Sequence, residues 1–370
     1  MTGTVKDIVQ VVPDSVKLML AGLVALTVML GVWSLLAALR ARRLDRQRAE
    51  LLEDVGLLQR ALLPPVPQTL GAVCASVAYR PADGPGAGGD FYDALTLRGG
   101  RAAFLLGDVS GHGRTALERT AFLRYTLRAY LEAGLEPRTA LQVAGRVVED
   151  KMGGDFATVV LAVHDPRSGS LTYAAAGHPA PVVVGAEEHE PVLAASSPPI
   201  GVGTRTGLRQ TTVPLPHGSL ACFHTDGLTE ARTADGLFGR ERLTEILREL
   251  GTNVTAAELL ERVASDAKSV PDDMAACVVT PTMGVTTGGF RVEQLELPVE
   301  DLEGPLAERF LSACEVTDAD MRRALAEARA TGNQYGGAIL QVVFGNRRTV
   351  EVLPRNVESI ELASRRAATG

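Results

Sequence analysis

The chain has 370 residues, of which 46% are hydrophobic, 22% charged and 4% aromatic, and it carries a formal net charge of −7. That composition excludes a wholly disordered, collagen-like or coiled-coil protein, and the scarcity of aromatics and the acidic balance argue against a nucleic-acid binder. At roughly 100–200 residues per domain, the length predicts two or three folded units.

The first element in chain order is apolar. From Leu18 to Leu39 the run LMLAGLVALTVMLGVWSLLAAL holds 22 residues without a charge, and at about 1.5 Å per residue it crosses a hydrocarbon core about 30 Å thick. A cleaved secretory signal would be shorter, with positive charge ahead of it. Here Lys6 and Lys17 are matched by Asp7 and Asp14, whereas Arg40, Arg42, Arg43, Arg46 and Arg48 follow the run. The positive-inside rule therefore predicts a single-pass protein of the cell membrane, with residues 1–17 outside and everything after residue 40 in the cytoplasm. Cys74, Cys222, Cys277 and Cys314 lie far apart with no CxxC pair, which fits a reducing compartment and offers neither a zinc site nor a disulfide framework.

Residues 40–66 read as a helical linker. Leu44, Leu51, Val55, Leu58 and Leu62 fall in four-three alternation, the seam of a short coiled coil that could form a homodimer through residues 40–63, with Arg48 at an unfavourable core position. Packing of the same face on the following domain is the alternative. Pro64, Pro65 and Pro67 end the helix and mark a boundary.

Residues 70–283 form the predicted main domain. CASVAYR, AAFLLGD, ATVVLAV, LTYAAAG, PVVVG, SLACFHT and MAACVVT read as strands, and HDPRSGS between the third and fourth makes that pair an antiparallel hairpin. Helical patterns come in pairs, at Thr115–Ala133 with Pro137–Val148 and at Gly239–Leu250 with Ala256–Ala267. Hairpins with paired helices, without strict βαβ alternation, predict an α+β layered sandwich.

Aspartates recur at the strand ends. Asp90 lies in AGGDFYD, Asp108 in LLGDVSGHG, Asp226 in ACFHTDG, and Asp272 with Asp273 in PDDMAACVV. A single aspartate there is ordinary turn chemistry. Four in the same setting converge if the strands are neighbours, and converging anions repel unless protons or a cation neutralise them. No Lys or Arg lies within these motifs, so the expectation is a carboxylate site for one or two hard divalent cations.

GGDFYD, GDVSGHG, ATVVLAV with LTYAAAGHPAP, PPIGVG, TDGLTEA and DDMA, in this order, resemble the metal-dependent serine/threonine protein phosphatases of type 2C, in the bacterial branch of stress-response and sporulation regulators. The resemblance covers about 210 residues and six separated motifs. It implies a two-sheet β-sandwich flanked by helix pairs (α-β-β-α) with two Mn²⁺ or Mg²⁺ ions at one end. It further implies that Asp108 bridges both ions, that Asp90 and the backbone carbonyl of Val109 complete one, and that Asp226 and Asp272 hold the other. Asp273, Gly89 and His112 would stand behind the ligands, His112 with a further claim as general acid. A water activated by the two cations would attack the phosphorus of a phosphoserine or phosphothreonine in line. The branch points to a regulatory protein, such as an anti-sigma-factor antagonist, as the phosphorylated substrate; an inactive phosphatase-fold scaffold at the membrane is the alternative.

Other motifs weigh less. Ser110 with His112 lacks a GxSxG elbow, His178 in AAGHPAP reads as a structural hydrogen-bond partner, and Gly88 with Gly89 marks a close backbone passage before Asp90. Gly111 to Ala116 fits a GxGxxA dinucleotide fingerprint, but Asp108 would repel a pyrophosphate. GGDF also occurs in diguanylate cyclases, yet Tyr92 follows Phe91 where those enzymes need an acid. After the linker MGVTTGG, residues 289–370 predict a small α+β module, with strands FRVEQLELPV, AILQVVF and RTVEVLP, helices at 302–314 and 318–330, a hairpin turn at Gly345-Asn346 and a final helical stretch. It carries no metal or nucleophile motif, which leaves interaction or regulation as its role.

Overall fold

A computed structural model describes residues 13–81, 89–111, 114–185, 191–192, 197–203, 205–282 and 289–355. The chain divides into Met1–Leu57 and Leu58–Gly370.

The first unit is dominated by helix α1, Asp14–Leu62. Pro13 precedes it and Pro64 follows it, with no proline between to interrupt the hydrogen-bond ladder. The predicted span and the predicted linker are thus parts of one continuous helix. Within its segment Asp14–Leu44 an 18-residue stretch has a mean hydropathy of 2.2, and the segment is long and apolar enough to cross a membrane. Residues 1–12 of the expected outer end, and the side chains that would form the coiled-coil seam beyond Leu44, lie outside the described residues.

The second unit stacks two antiparallel sheets. Strands β1 (Thr69–Leu70), β2 (Val73–Arg80), β7 (Val182–Val184), β9 (Leu220–His224) and β10 (Met274–Pro281) form one, in the order β1-β2-β10-β9-β7. The other contains β3 (Asp90–Thr96), β4 (Ala102–Val109), β5 (Ala157–Asp165), β6 (Ser170–Ala176), β8 (Arg209–Pro214), β11 (Arg291–Pro298), β12 (Gly337–Phe344) and β13 (Arg348–Pro354). Its order is β13-β12-β11-β8-β6-β5-β4-β3.

Strand alternation explains the layers. In β4, Phe104 and Leu106 face the other sheet, while Leu105 points the opposite way. Between the sheets Phe104 stacks on Phe223 with ring centroids 6.2 Å apart, a burial worth roughly 1.5–3 kcal/mol per large side chain. Outside the second sheet, Leu105 and Leu161 pack on Leu123, Leu127, Leu141 and Val148 of helices α2 (Arg114–Glu132) and α3 (Pro137–Met152). Outside the first, Cys222, Ala276 and Val278 pack on Leu243, Leu247, Leu259 and Val263 of α5 (Gly239–Leu250) and α6 (Ala256–Asp266), after a four-residue helix α4 (Asp226–Thr229). The result is the expected α-β-β-α sandwich.

Besides the two-residue β1, two strands were not legible in the sequence. β3 begins within GGDFYD and runs on to Thr96, and RQTTVP is β8. Each carries buried polar side chains whose charge or hydroxyl is matched by a distant segment: Asp93 of β3 by Arg124 and Arg128 of α2 at 3.0–3.1 Å, Thr211 of β8 by Glu293 at 2.7 Å.

The segment from residue 289 onward extends the second sheet. Its β11 pairs with β8, setting Glu293 opposite Thr211 and Leu295 opposite Arg209, and helices α7 (Pro305–Ala313) and α8 (Asp318–Tyr335) cover the added strands through Phe310, Leu311 and Ala328. Glu293 is fully buried and ion-paired to Arg209 and Arg291; Glu296 pairs with Arg138 of α3 and with Arg355. The predicted final helical stretch and the 283–288 linker lie outside the described residues.

Removing one partner of a buried ion pair leaves an uncompensated charge and costs about 3–5 kcal/mol. Glu293→Ala is therefore expected to lower the unfolding free energy of the second unit by an amount of that order in urea titration. A loss well under 1 kcal/mol would show that this junction does not hold the extended sheet to the core.

Candidate active site

The strands deliver acidic side chains to one end of the sandwich from both sheets. Antiparallel register sets Asp90, the first residue of β3, directly opposite Asp108, the penultimate residue of β4. Like charges facing each other across a strand pair are destabilising by themselves. From the other sheet, Asp226 follows the end of β9, and Asp272 with Asp273 immediately precedes β10. The aspartates that the sequence singled out thus belong to four chain segments that meet at the seam between the sheets.

Electrostatics register that meeting. Burial raises the Asp90 carboxyl well above its ordinary range, and the charges of Asp108, Asp273 and Asp226 raise it further, against a lowering hydrogen bond from Thr225. Asp108 is pushed up to about 7, first by burial and then by Asp226, Asp272 and Asp273. Asp226 is raised by burial, Glu230 and Asp272. Asp272 therefore acts on the Asp108–Asp226 side, and buried Asp273 on the Asp90–Asp108 side.

Glycine makes the approach feasible. A Cβ on Gly89 would collide with the carbonyl oxygen of Val109 and the carboxylate of Asp108, and one on Gly227 would collide with the backbone of Asp273. The Gly89 carbonyl in turn accepts from the Val109 N–H at 3.1 Å. The chain at residue 89 passes so close to Asp108 and the Val109 carbonyl that only a residue without a side chain fits.

Three positioning contacts were missed by the sequence reading. The fully buried Thr225 hydroxyl donates to Asp90 at 3.1 Å and accepts from the Ala275 N–H at 2.9 Å, joining the two sheets at the acidic cluster. Tyr79 donates its phenolic O–H to Asp273, and the Asp273 N–H donates to Asp272 at 2.8 Å. A buried hydroxyl directly before an aspartate at a strand end, as in HTDG, was the available signal for Thr225. Tyr79 gave none.

Other candidates separate from the chemistry. Ser110 and Phe156 bond reciprocally, N–H to carbonyl and N–H to hydroxyl, both at 2.9 Å, so Ser110 tethers the loop after Asp108 rather than acting as a nucleophile. His178 Nδ1 lies 2.9 Å from the Thr158 hydroxyl, and burial lowers its pKa to about 3, which keeps the ring neutral. His112 and Gly88 lie outside the described residues.

A hard divalent cation fits this donor set. Carboxylates and a carbonyl are the oxygen ligands such ions take, and positive charge would reverse the mutual repulsion that raises Asp90, Asp108 and Asp226. Among the described residues no group of three acidic, histidine or cysteine side chains stands close enough together to hold an ion.

Comparison with known proteins gives a consistent family. The sequence model described as Stage II sporulation protein E (SpoIIE) matches residues 98–282, half of the chain, a span that includes Asp108, Asp226 and Asp272 but begins after Asp90. Protein IcfG of Synechocystis is 27% identical over 188 residues, covering 43% of this chain and 30% of that protein. Phosphoserine phosphatase RsbU of Bacillus subtilis is 27% identical over 146 residues, covering 39% of this chain and 44% of that protein. The match thus spans less than half the length of either relative. Among solved structures, the SiaA-PP2C domain of Pseudomonas aeruginosa superposes with a TM-score of 0.53 at 24% identity, over 63% of this chain and 97% of that domain, and so shares the fold.

The raised carboxyl of Asp108 sets a pH dependence. Its folded pKa of about 7 exceeds the ordinary 3.8, so protonation favours the folded state, and that stability is lost as pH rises from about 4 through 7. Without added divalent cation, the melting temperature should fall between about pH 5 and pH 8 more steeply for the natural chain than for Asp108→Asn, and Mg²⁺ should remove the difference. Gly89→Ala should weaken Mn²⁺ binding at least about 10-fold in calorimetry, as loss of a supporting contact does.

Proposed function

The chain belongs to the Stage II sporulation protein E family of PP2C-type phosphatase domains, and from that premise we propose that it is a divalent-metal-dependent protein phosphatase acting on phosphoserine or phosphothreonine. The observation that carries the proposal is the convergence of aspartates from both sheets on one seam, with Asp90, Asp108 and Asp226 raised by burial and by their neighbours' charge. RsbU, named as a phosphoserine phosphatase, supports phosphoserine as the target.

Two ions would be held as follows: Asp90, Asp108 and the carbonyl of Val109 for one, and Asp108, Asp226 and Asp272 for the other. When bound, such ions supply positive charge that lowers the pKa of water and neutralises phosphoryl oxygens. The chain's own part is positioning. Thr225 fixes Asp90 against the opposite sheet, Tyr79 orients Asp273, and Ser110 holds the loop that presents Val109. No side chain is required as a nucleophile: the Ser110 oxygen accepts a backbone hydrogen bond, and burial pushes the Cys222 thiol up to about 12.

The substrate under this reading is a phosphorylated regulatory protein, such as an anti-sigma-factor antagonist, the class to which the resemblance of the motifs points. The apolar helix of the first unit, followed by Arg40, Arg42 and Arg43, supports anchoring of the catalytic unit at the cytoplasmic face of the cell membrane. Homodimerisation through residues 40–63 would bring two catalytic units together there.

The test is release of phosphate from a phosphoserine peptide with and without Mn²⁺. Turnover should require the metal and vanish with a chelator. Asp108→Asn and Asp226→Asn should each reduce it on the order of 10²–10³-fold or more, the range seen when one charge-stabilising group is removed; Thr225→Val should cost about 10–100-fold. Tight Mn²⁺ binding with no turnover of any phosphate monoester would favour the inactive scaffold instead.

A further inference from the structure

Asp226 also lines a cavity of about 350 Å³ that opens beside the acidic cluster. We propose that this cavity is a recognition pocket for an apolar side chain flanking the phosphorylated residue of the protein substrate. The inference rests on the phosphatase reading and extends it to the sequence around the phosphoserine.

Continuity identifies the occupant. With Asp226 in both the cavity wall and the acidic cluster, a polypeptide that presents its phosphoryl group to the cluster carries its neighbouring side chains past the cavity mouth. The volume lies at the small end of the range of about 300–1,000 Å³ for ligand sites, which suits a side chain better than a cofactor.

The chemistry of the walls selects an apolar group. Tyr173 and Ala175 of β6 line it together with Pro179 and Ala180. Two polar side chains of the remaining wall are already engaged: Arg209 is ion-paired to the buried Glu293 at 3.1 Å, and the Thr211 hydroxyl donates to the same carboxylate at 2.7 Å. His178 is neutral and bonded to Thr158. A charged side chain would be desolvated against the apolar part of this wall, Tyr173, Ala175, Pro179 and Ala180, with the Arg209 guanidinium already committed to Glu293, whereas an apolar one leaves every existing bond intact. The pocket is also formed in advance, because Arg240 of α5 holds the carbonyls of Ala180 and Pro181, the latter at 2.7 Å, so little ordering cost falls on binding.

The experiment measures kcat/KM of the full-length protein with Mn²⁺ on phosphoserine peptides in which each flanking position is Gly, Leu or Glu, with p-nitrophenyl phosphate as a monoester that has no flanking residue. One position should favour Leu over Gly by about 10-fold or more, the discrimination typical of an apolar pocket. Ala180→Leu, which fills the cavity, should erase that preference through KM and lower the ratio of peptide to p-nitrophenyl phosphate turnover; Ala175→Leu serves if the first variant misfolds. Indifference of the natural chain to every flanking position, with p-nitrophenyl phosphate still hydrolysed, overturns the pocket and leaves the phosphatase standing. An equal change in both substrates on filling the cavity would mark it as an effector site and likewise overturn the inference. Failure to hydrolyse either substrate removes the phosphatase reading itself.

Discussion

Repulsion among carboxylates at the seam of the two sheets is the constraint around which the rest of the molecule is organised. Asp90 and Asp108 face each other across one strand pair, and the loops of the opposite sheet add Asp226, Asp272 and Asp273. Such a cluster destabilises the fold that holds it unless something outside the cluster fixes the strands. The inter-sheet core does so through contacts such as Phe104 on Phe223, with the Thr225 hydroxyl as the polar cross-link at the site itself. A destabilised anionic site held by a stable apolar sandwich would make cation binding favourable there.

The outer layers reach the same seam through buried ion pairs. Asp93, three residues after Asp90, is held by Arg124 and Arg128 of α2, and α2 begins shortly after β4, whose end carries Asp108 and Val109. Strand β3 and helix α2 are thereby joined, so displacement of α2 would strain a desolvated charge network that is costly to break. Toward the other edge of the sheet, Glu293 and Glu296 of β11 perform the same task for β8 and α3. The carboxy-terminal segment thus reaches the cavity wall beside Asp226 through Arg209 and Thr211.

What could be read without the structure follows from short-range chemistry. The continuous apolar strands β4, β5, β6, β9 and β10 were legible because burial on both faces imposes an apolar run, and the four aspartate motifs because each combines such a run with glycine or turn residues. Strands β3 and β8 were not. Asp93 and Thr211 look like surface residues until Arg124 and Glu293, 31 and 82 positions away, are brought beside them. Tyr79 likewise meets Asp273 only because β2 pairs with β10, putting residues 194 positions apart in contact.

The sequence by itself determined the apolar helix, the layered sandwich and the family of acidic motifs, because hydrophobic periodicity and turn chemistry act over a few residues. Tertiary structure alone decided which side chains hold those acids in place and that a preformed cavity adjoins Asp226. It also decided that β11, β12 and β13 continue the second sheet. Each of these depends on strand register and sheet stacking, which set distances between segments that share no local signal.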